Sequence, residues 1–363
     1  MTHSQFTLSR SNLLHNYSFF RSKLSLSTKM LVLVKANAYG HGDIECSRLL
    51  EEFGTEYLGV AFPIEGIRLR KEGIKLPIII LTPGIDNFEE IIEYGLEPSI
   101  IDFESAHKML ETLLSLNIST YPIHIKLDTG MHRVGFDKKE INKLREFLLS
   151  NPNMMVKSVF SHLSAADEAK HDEFTRSQIE LFRQMSENLT SGLSYRPIFH
   201  ILNSSGTERF PDAQMDMVRV GVGMYGTSYV DESRLKPAGS LQAPIIHIKE
   251  INEGTVGYGR HGIIGNTSKV IATVPLGYAD GVNRHLGRGS ASFSLNGKLV
   301  PTIGNICMDT FMLDITGTDA KVGDVVTLFG ESPKASDIAK ILKTISYEVY
   351  TSVSARVRRV VVP

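Results

Sequence analysis

The regular alternation of short apolar runs with amphipathic stretches, up to about residue 228, constrains the fold of this 363-residue chain most strongly. The apolar runs are rich in branched residues, as buried parallel strands are. Eight strands are predicted, at Met30–Ala36, Tyr57–Phe62, Pro77–Thr82, Glu97–Asp102, Ile123–Asp128, Val156–Leu163, Ile198–Asn203 and Met217–Gly221. Between them, Glu104–Leu116 and Glu173–Leu189 are the clearest helix candidates, because their apolar residues recur three and four apart. A further helix is predicted at Asn12–Lys23, before the first strand.

Eight strand–helix units in about 230 residues favour a (β/α)8 barrel of the TIM type. A doubly wound open sheet is the main alternative, but barrel size fits better. No Gly-x-Gly-x-x-Gly string follows a strand, as it would in a dinucleotide-binding sheet. The predicted fold class is therefore α/β, with an N-terminal (β/α)8 barrel followed by a mainly β C-terminal domain.

The pattern of apolar and polar residues changes after about Tyr229. Helical periodicity nearly vanishes until Ser336–Ile345, and glycine-containing turns separate most of a set of short strand candidates. These candidates are Ile245–Ile251, Lys269–Pro275, Ala291–Leu295, Val325–Phe329 and Val357–Val362. We expect a barrel domain at 9–229 and a mainly β domain at 230–363, joined within Asp231 to Ser240, with residues 1–8 able to pack on the second domain.

Composition limits the expected cellular location and the expected binding partners of the chain. The chain has 39 basic and 40 acidic residues and a net charge of -1, so charge gives no reason to expect nucleic acid or an anionic membrane. No apolar run approaches the ~20 residues that span a bilayer. Met1 to Arg10 lack the apolar core of a signal peptide. With only two cysteines, a reducing, cytoplasmic location is expected.

Polar residues stand at the predicted carboxyl ends of the barrel strands, where barrel enzymes have their active sites. They include Lys35, Lys126, Arg133, His162, Asn203, Ser204 and Arg219, and a glycine turn follows at Gly221. A lysine amine in a site of low polarity loses its proton easily, as a Schiff-base lysine must. Ser204 and the glycine turn at Gly221 form a plausible phosphate cradle. Arg133 is a permanent cation that could bind a carboxylate or a phenolate.

Several strings together give the chain a family resemblance. They are VKANAYGHG at the first strand, KLDTGMHRVG at the fifth, SHLSAADE at the sixth, NSSG at the seventh and RVGVGMYG at the eighth, followed by VGYG, GYADG and GNICMD. Over nearly its whole length the chain resembles the bacterial alanine racemases, which depend on pyridoxal 5'-phosphate (PLP). The resemblance implies an isomerase that supplies D-alanine for peptidoglycan, with no metal.

The resemblance also implies two bases on opposite faces of the substrate. Lys35 would bind PLP covalently and act on the α-proton of the D-enantiomer. Tyr258 would handle the proton of the L-enantiomer, and in the family this tyrosine comes from the partner subunit of a head-to-tail homodimer. One base on each face inverts a stereocentre without moving the substrate.

The remaining implied roles fall into three groups. The residues that match cofactor contacts are Lys35, Tyr39, His162, Asn203, Ser204, Arg219, Gly221 and Val222. Arg133 and the backbone amide of Met308 match contacts to the substrate carboxylate. Lys126, Tyr278 and Asp309 match supporting or entryway positions, and the lysine is carbamylated in some members. Tyr278 is the rival of Tyr258 for the role of second base, but its string matches the substrate entryway.

Other readings remain open. Ala355 and Asn305 replace a tyrosine and an arginine that narrow the entryway in other members, so a racemase that also accepts serine or longer amino acids is one alternative. PLP-dependent amino-acid decarboxylases also pair a barrel with a β domain, but they favour an acidic partner for the pyridine nitrogen. A PLP-binding protein without catalysis is a third alternative, although such proteins are a single barrel.

Overall fold

The computed structural model describes residues 3–265 and 267–363, and it contains the predicted barrel. The barrel strands are β2 Lys29–Leu33, β3 Tyr57–Val60, β4 Ile78–Ile80, β5 Glu97–Ile100, β6 Tyr121–Lys126, β7 Met154–Phe160, β8 Ile198–His200 and β9 Met217–Val220. They form a parallel sheet in the order β8-β7-β6-β5-β4-β3-β2-β9. A hydrogen bond of 2.9 Å from the amide of Arg219 to the carbonyl of Leu202 helps to join β9 to the end of β8, the two outer strands of this order. The α/β barrel prediction is therefore confirmed.

The barrel strands end earlier than predicted. β2 ends at Leu33, although the apolar run suggested a strand through Ala36, and the chain turns directly after Val34. The same shortening occurs at β7 and β8, which end at Phe160 and His200. Because the predicted site residues follow these ends, most of them lie in βα loops above the barrel instead of inside the sheet.

The amphipathic stretches form helices close to their predicted bounds. The helical segments of the barrel are α1 Arg10–Ser22, α2 Lys35–Tyr39, α3 Asp43–Glu52, α4 Pro63–Lys71, α5 Phe88–Glu93, α6 Phe103–Ser115, α7 Ile141–Ser150, α8 Asp172–Thr190 and α9 Ser204–Arg209. α6 begins where the side chain of Asp102 accepts a hydrogen bond of 2.7 Å from the amide of Ser105, a standard N-cap. None of the helices in the described residues is both long and apolar enough to cross a membrane.

The rest of the chain is mainly β, as predicted. Its strands are β10 Gly239–Pro244, β11 His247–Ile251, β12 Thr255–Val256, β13 Gly262–Ile263, β14 Lys269–Val274, β15 Ser292–Leu295, β16 Lys298–Ile303, β17 Phe311–Asp314, β18 Val325–Phe329 and β19 Arg358–Val362. Strands β12 and β13 pair only with each other. The other strands of this part, together with β1 Gln5–Ser9 at the amino terminus, form a nine-stranded sheet. Two helices, α10 Ala335–Leu342 and α11 Ser346–Thr351, complete this part.

Strand β1 connects the two parts of the molecule. It pairs antiparallel with β10 and parallel with β19. Leu8 packs into the barrel core, whereas Phe6, on the same face of β1 two residues earlier, packs into the core of the β part. The guanidinium of Arg359 in β19 then donates to the carbonyl of Gly40 at 2.9 Å and to that of Val353 at 2.7 Å. The β part is thereby fixed to the loop that follows β2.

Candidate active site

A cavity of about 480 Å³ opens at the carboxyl end of the barrel. It has the size that a cofactor and a small substrate need. Ten of the fourteen residues selected from the sequence line it: Lys35, Tyr39, Lys126, Arg133, His162, Asn203, Ser204, Arg219, Gly221 and Val222. The short loops that follow β2, β6, β7, β8 and β9 bring them together, as the barrel prediction requires.

Lys35 enters this cavity from an unusual backbone. Ala36, Asn37 and Ala38 all have φ between 52° and 55°, and Tyr39 has φ 53°, so four residues in a row are left-handed. Such a conformation costs roughly 1–2 kcal/mol per residue for side chains other than glycine. Strain of this kind persists only where the surroundings enforce it, and it is concentrated at functional sites.

Glu65 is one of the groups that enforce this turn, and the sequence analysis missed it. One oxygen of its carboxylate accepts from the amide of Ala36 at 2.6 Å. The other oxygen accepts from the amides of Ala61 and Phe62 at 2.7 Å and 2.9 Å. The carboxylate thus ties the residue after Lys35 to the end of β3. Its place near the start of α4 looks like ordinary helix capping in the sequence, so only the fold reveals the contact.

Two neighbours of opposite charge act on Lys35. Burial and the guanidinium of Arg133 lower the pKa of its amine, while the carboxylate of Glu65 acts in the opposite direction. A lysine with a lowered pKa is more often neutral near pH 7, and a neutral amine can form an imine or accept a proton.

A phosphate-sized cradle lies at the ends of β8 and β9. The hydroxyl of Ser204 accepts from the amide of Gly221 at 2.9 Å. A Cβ atom at Gly221 would stand 2.7 Å from the hydroxyl oxygen of Tyr39, so any larger residue would fill the cradle. Burial raises the pKa of Tyr39, which keeps its hydroxyl protonated as a donor. Hydroxyl and amide donors around a small gap suit the oxygens of a phosphate.

Arg219 lies at the bottom of the cavity in a network of hydrogen bonds. Its guanidinium contacts Nδ1 of His162 at 3.2 Å and Nδ1 of His200 at 2.8 Å, and it donates to the carbonyl of Ile201 at 3.0 Å. Burial lowers the pKa of Arg219 to about 9, which still leaves it a cation at neutral pH. Burial and the surrounding cations hold the pKa of His162 well below its usual range, so the imidazole is neutral.

Basic groups outnumber acidic ones in the cavity. Lys35, Lys126, Arg133 and Arg219 line it, and no acidic residue of the described chain does. The arginines supply the positive charge, since the pKa of each lysine is lowered. The nearby carboxylate of Asp128 is already occupied, because one of its oxygens accepts from the amides of Gly130, Met131 and His132. Burial and two arginines hold the pKa of Lys126 well below its usual value. Buried cations need anionic partners, and a phosphate, a phenolate and a carboxylate would supply them.

The other four selected residues lie on the β part, outside this cavity. Tyr258 is 75% exposed and Met308 is 53% exposed. Tyr258 and Met308 line a shallow pocket of about 580 Å³, and Tyr278 and Asp309 line it too. Exposed apolar groups of this kind often mark an interface. Within one chain, then, the structure does not bring the two candidate bases together.

Tyr347 is a second residue that the sequence analysis missed. Its ring lines the cavity 5.8 Å from the ring of Tyr39 and stacks on Tyr229 with the planes 11° apart. It stands in α11, a short helix that the sequence pattern did not predict. Ala355, where other members carry a tyrosine, is exposed and does not line the cavity.

A larger cleft of about 1000 Å³ lies on the β part, lined by residues that include Tyr278, Arg284, Asn305 and Glu348. Among the described residues, no lysine or cysteine lines it. The smaller barrel cavity is therefore the better candidate for chemistry, since it combines a lysine of lowered pKa, a phosphate cradle and a surplus of cations. This combination defines the class of barrel proteins that bind PLP through a lysine.

Comparison with known proteins gives the family. Residues 8–229 match the family model "Alanine racemase, N-terminal domain", and residues 238–361 match "Alanine racemase, C-terminal domain". An alanine racemase of Clostridium kluyveri is 38% identical over 95% of this chain and 90% of its own. The chain belongs to the alanine racemase family, whose members depend on PLP.

Solved structures of the family are similar along the whole chain. The alanine racemase of Clostridium difficile 630 matches with a TM-score of 0.94 and 34% identity, covering 100% of this chain and 96% of that one. The alanine racemase of Bacillus anthracis with bound L-Ala-P matches with a TM-score of 0.91 and 29% identity, covering 100% of this chain and 96% of that one.

Proposed function

We propose that this protein is an isomerase that interconverts L-alanine and D-alanine with PLP as its cofactor. The observation that carries the proposal is the position of Lys35, whose amine enters a cationic cavity beside a phosphate cradle. Bound PLP supplies an electron sink that acidifies the α-proton of an attached amino acid. The donors at Ser204, Gly221 and Tyr39 would hold its phosphate, and Arg219 would face its pyridine nitrogen.

Arg219 has a consequence for the type of reaction. A guanidinium can donate a hydrogen bond but does not readily give up its proton, so it would leave the pyridine nitrogen unprotonated. The electron sink is then weaker than with an acidic partner, and this limits side reactions. This partner favours a racemase over a decarboxylase.

Two residues would move the proton. Lys35 would take it from, or return it to, the face of the D-enantiomer, and Tyr258 would serve the opposite face for the L-enantiomer. Arg133 and the backbone amide of Met308 would hold the substrate carboxylate, with Lys126 supporting Arg133. Orientation by such contacts is what lets each base act on a fixed α-carbon.

Because Tyr258 and Met308 are exposed on one chain, we infer that a second subunit covers them. A head-to-tail homodimer would place the β part of one subunit over the barrel cavity of the other. Tyr278 and Asp309 would then line the entryway. Within each subunit we propose a barrel domain at 9–229 and a mainly β domain at 230–363, and a cytoplasmic role in supplying D-alanine for peptidoglycan.

The direct test follows L-alanine by proton NMR in D2O with purified, PLP-supplemented protein. Formation of D-alanine together with deuterium at the α-carbon of both enantiomers would support racemisation. Protein that binds the cofactor but leaves alanine unchanged would contradict it. A parallel panel with serine and longer amino acids tests the broader substrate range suggested by Ala355 and Asn305, and turnover of alanine alone would exclude that range.

A further inference from the structure

The turn that carries Tyr258 is exposed, although Val256 of the flanking hairpin packs against Ile271, Ile303 and Met312. Strands β12 and β13, which flank it, have two residues each and pair only with each other. A two-stranded hairpin is marginally stable in water. Left-handed backbone at Gly257, Gly259 and Arg260 makes the turn tight, while the Tyr258 side chain is mostly exposed and cannot anchor it in this chain.

A buried side chain anchors the turn itself. The amide nitrogen Nδ2 of Asn305 donates to the backbone carbonyl of Tyr258 at 2.7 Å. The amide oxygen of the same side chain accepts from Nε of Arg288 at 2.7 Å. Asn305 is 7% exposed, so its end of each bond is buried, while both bonds as a whole are partly buried.

The orientation of this amide follows from the chemistry of its two partners. A guanidinium can only donate and a carbonyl can only accept, so the oxygen must face Arg288 and the nitrogen must face Tyr258. Among residues of this size, only asparagine offers a donor and an acceptor side by side. Aspartate would keep the contact with Arg288 but would turn an oxygen toward the Tyr258 carbonyl.

The hairpin also sits on the backbone next to Asn305. A Cβ atom at Gly304 would stand 2.6 Å from the carbonyl oxygen of Val256, and one at Gly257 would stand 3.6 Å from the amide nitrogen of Asn305. The amide of Arg288 in turn donates to the carbonyl of Gly304 at 2.7 Å. Contacts on both sides of Asn305 therefore connect the Tyr258 turn to the nine-stranded sheet through β16.

We propose that Asn305, held by Arg288, is a positioning residue that sets the place of Tyr258 for proton transfer at the L-face of the substrate. The proposal rests on the proposed function, in which Tyr258 is the L-face base. Asn305 then does more than leave the entryway wider. Its buried side-chain amide fixes the loop that carries the second base.

The test uses the holoenzyme of Asn305→Asp and follows two reactions of D-alanine in D2O by NMR. Lys35 still exchanges the α-proton of D-alanine, while transfer at the L-face is slowed. The ratio of α-deuteration of D-alanine to formation of L-alanine should therefore rise about tenfold relative to wild type, the size of effect that one lost buried hydrogen bond can produce. Starting from L-alanine, the corresponding ratio is that of α-deuteration of L-alanine to formation of D-alanine. This ratio should not rise, because both exchange and inversion then begin at Tyr258.

Arg288→Met is the second variant, because it leaves Asn305 in place and removes the guanidinium that donates a hydrogen bond to it. It should shift the D-alanine ratio in the same direction by a smaller factor. Asn153→Asp is the matched control: the Asn153 amide also donates to a backbone carbonyl, that of Ile118 at 2.9 Å, at the amino end of β7 and away from the cavity. Its ratio should equal that of wild type.

The outcomes separate the two proposals. Wild-type protein that binds PLP but does not racemise alanine would overturn the proposed function. Active wild type combined with an unchanged D-alanine ratio in a folded Asn305→Asp variant would overturn only the positioning role. A variant in which exchange and inversion of D-alanine fall together would also count against it, because a general structural defect slows both reactions equally.

Discussion

At the residue scale, the chemistry of the cavity depends on charges that the barrel brings close together. The cation of Arg133 and the carboxylate of Glu65 act on the pKa of the Lys35 amine in opposite directions. The sequence could predict the first neighbour, because Lys35 and Arg133 follow strands whose carboxyl ends meet at one rim of the barrel. It could not predict the second, because Glu65 reads as a helix-capping residue of α4 until the fold places it against Ala36.

Two tyrosines compete for the role of second base, and their substitution should have unequal effects. Tyr258→Phe removes the proposed proton carrier and should lower kcat for L-alanine by about a hundredfold or more, the usual range for a lost general base. Tyr278→Phe removes a hydroxyl from the proposed entryway and should cost less than about tenfold. Steady-state rates of both variants, with cofactor content matched by absorbance, would check this. The reverse ranking would move the base to Tyr278.

At the element scale, the left-handed turn after β2 needs Glu65 to hold it. Glu65→Gln keeps the size of the side chain but replaces one acceptor oxygen with a donor that faces a backbone amide. We expect the free energy of unfolding to fall by about 0.5–1.5 kcal/mol, the net contribution of one hydrogen bond, because Glu65 is only half-buried. We expect PLP affinity to fall with it.

Urea unfolding and cofactor titration of the apoprotein would measure both effects. Glu89→Gln is a matched control, because Glu89 also stands in the first turn of a barrel helix and its side chain is exposed. Loss in the control equal to that in Glu65→Gln would show that the three backbone contacts of Glu65 add nothing.

The elements themselves were predictable to different degrees. The barrel strands and long helices follow apolar periodicity, so their order could be predicted from the sequence. β1 has only five residues, and β10 runs from Gly239 to Pro244, a stretch whose glycine and proline resemble a junction. Their stability comes from pairing with each other and with β18 and β19. Pairing between segments that are distant in the sequence leaves no local pattern.

At the scale of the whole molecule, the proposed site residues of each chain lie at two separate places. The barrel cavity contains Lys35, and the exposed face of the β part contains Tyr258 and Met308. A symmetric pair of chains would form two complete sites, each with Lys35 from one subunit and Tyr258 from the other. The sequence could select both groups of residues, and the family resemblance already predicted that a partner subunit supplies Tyr258. Only the structure could reveal that the two groups lie apart within one chain.

The most direct test of a site shared between subunits combines two inactive variants, Lys35→Ala and Tyr258→Phe. Each alone should lack racemase activity. Mixed dimers, produced by co-expression with two different tags, carry one site without either substitution. They should recover about half of the wild-type activity per dimer, since one of two symmetric sites is intact. Purified mixed dimers that bind PLP and remain inactive would contradict a racemase site built from Lys35 of one subunit and Tyr258 of the other.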